Sequence, residues 1–280
     1  MTRQKRRVLL NGLVMVASTF AALVGLIGLA WILADVAIKG ISVIDWKFFT
    51  ELPSPPGEER GGLANAIVGT LFMTATAAAI AVPMGVAAGT WLSEFGKSKA
   101  HANVVRYIAD ILVSAPSIVI GVFVYLILVR PMGSFSALAG SVSLAIIMLP
   151  VVIRTTEEML NIVPNEMREA ALALGSPYWK MMFSILFRAA RAGMVTGILL
   201  AIARVAGETA PLLFTALNSP YWSDSFNEPM ANLTVTLFNY AMSPYDDWHA
   251  MAWGAAFLIT ASVLVLTIIM RFAVSAGRSR

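Results

Sequence analysis

Cysteine is missing from this 280-residue chain. Its absence excludes a disulfide framework, a thiolate metal site and a Cys nucleophile. Histidine is nearly missing as well. His101 and His249 are the only two, too far apart in sequence to form the one-face helical pair that zinc enzymes use. Charge is the third scarcity. Asp, Glu, Lys and Arg make up 13% of the residues, against about 25% in soluble domains. So little polar surface cannot cover the core of a soluble fold. The companion figure, 58% hydrophobic residues, excludes a disordered chain. The bilayer is the solvent that fits.

A helix needs about 20 mostly apolar residues to cross a membrane. Six stretches qualify: residues 8–34, 64–92, 107–129, 137–153, 193–216 and 251–272. The first follows the basic run Arg3, Lys5, Arg6 and Arg7. Its apolar part is longer than the roughly 7–15 residues of a signal peptide and lacks a clear small-residue cleavage site. It reads as a retained first helix. The sequence therefore predicts an all-α integral membrane protein. Six transmembrane helices fill residues 8–272, with tails at 1–7 and 273–280.

Basic residues favour the cytoplasmic side. With the N-terminus inside, the tail, the loops after the second and fourth spans and the C-terminal end hold fifteen of the twenty Lys and Arg residues. Lys39, Lys47, Arg60 and Arg130 fall outside, and Arg204 falls within a span. This bias predicts that both termini are cytoplasmic. It also turns the net charge of +4 into a topology signal, so no nucleic-acid partner is implied. The outer loops, residues 38–63 and 217–250, carry Trp46, Phe48, Phe49, Trp222, Tyr245 and Trp248. An interfacial aromatic belt is the first reading of these, and docking of an outside partner the second. Gly85 with Gly89 and Gly193 with Gly197 have the spacing of close helix packing. Asp35 and Asp110 lie near span ends and receive no role.

The longest inner loop, with a hairpin over residues 156–190, has its own signals. Pro164 suits the first turn of a helix, and Glu166 and Glu169 suit its positive end. Helix formers run to Leu174, and Gly175 ends the helix. Ser176 and Pro177 then start a second helix. Glu169-Ala170-Ala171, followed by Gly175 and Ile185, resembles the EAA signature of ABC importer permeases. The x-Leu-Pro that completes that pattern is replaced here by Phe187-Arg188. The resemblance implies a coupling helix that enters a groove on a separate ATPase subunit. Gly96-Lys97-Ser98 looks like the end of a nucleotide-binding loop, but Trp91 stands where that loop needs its first Gly. The chain is therefore expected to have no ATPase site and to be a transport subunit, not an enzyme.

The fifth span contains Arg204-Val205-Ala206-Gly207-Glu208-Thr209-Ala210-Pro211. An Arg at mid-membrane costs about 2.5–3.5 kcal/mol on insertion scales. Glu208 lies one turn later on the same helix face, so the two can pair. A purely structural ion pair rarely repays its desolvation, whereas an Arg fork suits an oxyanion. Gly207 and Pro211 loosen the helix, and Thr209 adds a hydroxyl. The run from Ile202 to Ala216 and the stretch Val152-Ile153-Arg154-Thr155-Thr156-Glu157-Glu158-Met159 together resemble the phosphate-specific ABC importer permeases of the PstA type. That resemblance covers residues 150–220 closely and the rest loosely.

What it implies is a permease fold with cytoplasmic coupling helices in a bacterial or archaeal plasma membrane. The substrate would be inorganic phosphate, delivered by an extracytoplasmic binding protein. The partners would be a related second permease and two ATPase subunits that hold ATP and Mg, with no cofactor in this chain. Arg204, Glu208, Thr209 and Arg154 would belong to the substrate pathway, and Glu169, Ala170, Ala171 and Gly175 to ATPase coupling. The residues alone leave alternatives open. A permease for sulfate or molybdate would use the same hairpin. A self-contained secondary transporter or channel would explain the buried charges but not the hairpin. An intramembrane enzyme would lack any His or Cys constellation.

Overall fold

Long apolar runs free of breakers give long helices, and the breakers present set where each one stops. The structure, a computed structural model, describes residues 3–58, 60–96 and 99–278. Among them every regular element is helical. The chain opens with α1 (Arg3–Ile41) and a short α2 (Trp46–Thr50), capped where Asp45 accepts from the Phe48 N–H at 2.8 Å. Next come α3 (Ala64–Glu94), α4 (Ala100–Ser114), α5 (Ser117–Met132) and α6 (Ala137–Asn161). The hairpin helix α7 (Asn165–Ala173) leads into α8 (Tyr178–Ala206). The chain ends with α9 (Ala210–Leu213), α10 (Leu233–Ala241) and α11 (Asp246–Arg278). Lys97, Ser98 and Arg280, which entered the charge count and the nucleotide-loop comparison, lie outside the described residues.

Five helices, α1, α3, α6, α8 and α11, are long and apolar enough to cross a membrane, and α4 with α5 makes a sixth if that bent pair is one span. The straight third span expected over residues 107–129 is instead two helices set at 105°. Pro116 explains the bend. It offers no N–H to the helix, and it holds Ala115 in an extended conformation, ψ 136°.

The core forms around α6, which α3 and α8 both clasp. Gly85 and Gly89 let α3 approach closely. A Cβ on Gly89 would stand 2.5 Å from the Ile153 carbonyl oxygen, and one on Gly85 2.7 Å from the Val152 Cβ. On α8, Gly193 lies against Met159 and Gly197 against Thr155. Both glycine pairs thus pack as their spacing predicts. Met73, Leu144, Met148, Val152 and Val205 fill the seam.

The end of the bundle away from the hairpin is closed by backbone hydrogen bonds. Ser136 caps α6, accepting from the Ala139 N–H at 3.1 Å. The Ala137 and Leu138 N–H groups donate to the carbonyls of Glu228 and Phe226, each at 3.0 Å. The 217–250 segment, expected as a loop, contains α10. Asn232 caps it, accepting from the Val235 N–H at 2.8 Å, and Thr70 of α3 accepts from the Leu233 N–H. Of the aromatics assigned to a belt, Phe48 is a buried core residue and Trp248 stacks on Tyr240. Trp46 and Trp222 remain exposed.

Candidate functional site

The fifth span is broken where its sequence changes character. Gly207 is a poor helix former, and Pro211 has no N–H to give and obstructs a helical turn before it. α8 accordingly stops at Ala206. It closes with three-residue turns from Gly207 N–H to the Arg204 carbonyl and from Glu208 N–H to the Val205 carbonyl. Thr209 then opens α9, its carbonyl accepting from the Leu212 and Leu213 N–H groups. α9 is held against α5 by a close approach, because a Cβ on Gly121 would lie 2.6 Å from the Pro211 Cα.

The break changes the pairing expected between Arg204 and Glu208. One-turn spacing brings two side chains together only on a continuous helix. Glu208 lies past the helix end, and among the described residues the two form no ion pair. Arg204 projects from the last turn of α8 and is exposed, while Glu208 and Thr209 are half-buried. The Glu208 carbonyl accepts from the Thr234 hydroxyl of α10 at 2.8 Å. The depth of Arg204 follows from its neighbours. Ala203 and Ala206 line a cavity of about 370 Å³ shared with Thr74 and Ser262. Thr74 lies ten residues into α3, roughly 15 Å from its start at the helical rise. Arg204 is thus an exposed cation level with a point roughly a third of the way along α3, well inside the bundle's length.

Arg154 belongs to a different place. Gly197 of α8 faces its neighbour Thr155 on α6, and Arg204 is seven residues further along α8. That spacing separates the two arginines by roughly 10 Å along the bundle. Arg154 pairs with Asp110 of α4 and lies 3.9 Å from Glu157. Arg106 of α4 donates to Glu157 at 2.6 Å and to the Leu92 carbonyl at 3.2 Å. Four charges from two helices therefore meet, and the Glu157 side chain is only 7% exposed. Sequence reading missed this cluster. The three-residue spacing of Arg154 and Glu157 was its one local signal, and no local signal pointed to α4.

The hairpin carries the other predicted residues. Pro164 and Pro177 each take the capping position just before a helix, one residue earlier than expected, because their extended backbone suits the cap. Glu169 and Ala170 are exposed, and Ala171 is buried against Leu160, Met181 and Leu186. Gly175 has φ +76°. The Gly175 N–H bonds the Leu172 carbonyl at 2.9 Å and the Ser176 N–H bonds the Ala171 carbonyl at 3.1 Å, so the helix ends in a Schellman motif. Leu174 beside the tip is 89% exposed. With Phe187-Arg188 in place of Leu-Pro, no breaker follows, and the second arm runs without interruption through a π-turn at Met182–Leu186 into α8.

A bundle of apolar helices around a central α6, a broken span and a helix–Gly–helix hairpin at one end define the membrane-embedded permease class. The same fold is seen in an inward-facing methionine ABC transporter, MetNI, with a TM-score of 0.60 at 20% identity, covering 78% of this chain and 95% of that one. A family model for binding-protein-dependent transport system inner membrane components matches residues 81–276. The chain belongs to that family, and within it to the PstA type. "Phosphate transport system permease protein PstA" of Yersinia pestis is 49% identical over 96% of this chain and 90% of its own length. A probable PstA of Methanocaldococcus jannaschii is 36% identical over 90% of this chain and 89% of its own.

Proposed function

We propose that this chain is a permease subunit of an ATP-driven importer and that it passes inorganic phosphate. The observation that carries the substrate is the 49% identity, over nearly the whole chain, to a permease named for phosphate transport. The exposed cation at the broken helix supports it, since a guanidinium fork suits a tetrahedral oxyanion. Among the described residues Arg204 forms no ion pair, which leaves it available to an anion. Glu208 close by in sequence lowers the local attraction, so that the anion leaves again, as a conducting site requires.

The rest of the assembly follows the family pattern. Both termini lie in the cytoplasm of a bacterial or archaeal plasma membrane, with α4 and α5 together making the third of six spans. A related second permease completes the pathway, facing lipid elsewhere. Two ATPase subunits hold ATP and Mg, and an extracytoplasmic binding protein delivers phosphate. The ATPase subunits, not this chain, are read as the nucleotide-binding partners, because Trp91, within α3, lies on helix where a nucleotide loop would need Gly. Glu169, Ala170, Ala171 and Gly175 present the hairpin to the ATPase by the helix-in-groove mode. Arg154 stands further along the pathway, nearer the hairpin.

The test is uptake of labelled phosphate by vesicles carrying the assembled complex. Arg204→Gln removes one charge-assisted contact, about 1.5–3 kcal/mol, and lowers uptake roughly tenfold to a hundredfold. Glu208→Gln slows release and lowers turnover with less effect on half-saturation. Full uptake by both variants sinks the proposed site.

A further inference from the structure

Among the described residues, a buried and many-bonded charge pair lies outside the pathway, at the root of the hairpin. Arg168 of α7 and Glu94 at the end of α3 have side chains 10% and 3% exposed. The Arg168 guanidinium donates to Glu94 Oε1 at 2.8 Å. It also donates to the Leu160 and Val163 carbonyls, at 2.9 and 2.5 Å, which belong to the last turn of α6 and the link beyond it. The Tyr178 hydroxyl, on the first residue of α8, donates to Glu94 Oε2 at 2.9 Å. Ser93, the residue before Glu94, donates to Asn161 Oδ1 at 2.9 Å, binding α3 to α6 a second time.

Arg168 and Tyr178 stand on opposite sides of the Gly175 tip, so both arms of the hairpin are tied to one carboxylate on a third helix. The tip cannot be displaced as a unit without dragging α3 with it or stripping two donors from a buried anion. Stability alone is a poor reason for such an arrangement, because a buried pair seldom outperforms apolar side chains of the same volume. What it does provide is a fixed geometry among four segments, and coupling over distance needs contiguous linkages of this kind.

We infer that Glu94, Arg168 and Tyr178 form the node through which movement of the hairpin reaches α3 and α8. The node makes Glu94 and Tyr178 positioning residues of transport, although neither touches the anion. The inference rests on the reading of the hairpin as the ATPase-coupling element.

The experiment uses the complete complex in proteoliposomes with its binding protein, and measures ATP hydrolysis and labelled phosphate uptake on the same sample. Glu94→Gln is expected to retain ATPase subunits and to hydrolyse ATP within about twofold of the unsubstituted complex, while phosphate moved per ATP falls about tenfold, the worth of one charge-assisted bond. A purely structural anchor would lower hydrolysis and uptake together, with their ratio constant, and that result overturns the node. Arg168 left without its partner is able to unfold the root of the hairpin. Tyr178→Phe, which keeps the ion pair, is therefore measured beside it. Its transport-to-hydrolysis ratio is expected to fall about threefold, less than the loss of a charged bond, and an unchanged ratio also overturns the node. The hairpin reading has its own control. If Gly175→Val and Glu169→Lys leave ATPase association and uptake intact, that reading fails whatever Glu94 does.

Discussion

At the scale of single residues, the same residue type has opposite consequences in different places. Gly89 faces backbone: a methyl group there meets the Ile153 carbonyl oxygen at 2.5 Å and the Thr156 Cβ at 2.7 Å. Backbone cannot rotate away, so α3 and α6 must separate. Gly28 of α1 has nothing within 4 Å of an added Cβ. Overpacking costs about 1–3 kcal/mol, so Gly89→Ala is expected to lower the midpoint of unfolding of the purified complex in an SDS titration. Gly28→Ala is expected to leave it unchanged or to raise it slightly, since Ala is the better helix former. Equal midpoints for the two variants contradict the packing described for α3. The cluster around Arg154 makes a related point about charge. Arg106, Asp110 and Glu157 are unremarkable positions in sequence, and only the apposition of α4 and α6 makes them one site.

At the scale of elements, the break in the fifth span carries the proposed pathway, and its chemistry is simple to reverse. Gly disfavours helix by about 1 kcal/mol and Pro by about 3 kcal/mol relative to Ala. The double substitution Gly207→Ala with Pro211→Ala therefore favours a helix running on from Ala206. Glu208 would then come one turn above Arg204, where the two pair and the cation is no longer available to an anion. Uptake is expected to fall by about tenfold, the loss of roughly one charged contact, with the ATPase subunits still bound. A variant that imports at the full rate shows that the break is dispensable. This element also marks the limit of what the sequence disclosed. The apolar run continues past Gly207, so span reading carried the helix to Ala216 and paired two residues that the structure keeps unpaired. The bend at Pro116 was hidden in the same way, because hydropathy registers length and not direction. The Gly175 turn was legible, since a helix end at a Gly with φ +76° is local chemistry, whereas the start of the hairpin was not, because residues 156–161 continue α6 and Pro177, not Ser176, takes the second cap. The 217–250 segment hid α10, whose stability comes from Asn232 and from Thr70 across the bundle.

At the scale of the whole molecule, the scarcity noted first becomes the means of testing topology. A chain with no cysteine needs no background removed before single thiols are placed in it. The fold separates two ends unambiguously. The tip at Gly175 and the Leu160–Val163 link lie at one, and the segment that caps α6 through Phe226 and Glu228 lies at the other. In the proposed orientation, which rests on the distribution of Lys and Arg, the first end lies in the cytoplasm. Ser176, next to the tip, and Ser225, in the opposite segment, are both half-buried and so partly open to solvent, and they are the natural reporters, because Ser→Cys changes one atom. In intact cells a membrane-impermeant maleimide is expected to label Ser225→Cys and to leave Ser176→Cys unlabelled until the membrane is opened. Inverted vesicles should exchange the two. If Ser176→Cys reacts in intact cells, the hairpin faces outward. It then cannot meet an ATPase fed by cytoplasmic ATP, and the coupling proposal fails together with the orientation. The charge argument, the hairpin reading and the importer direction thus depend on one observable, the side from which a single thiol is reached.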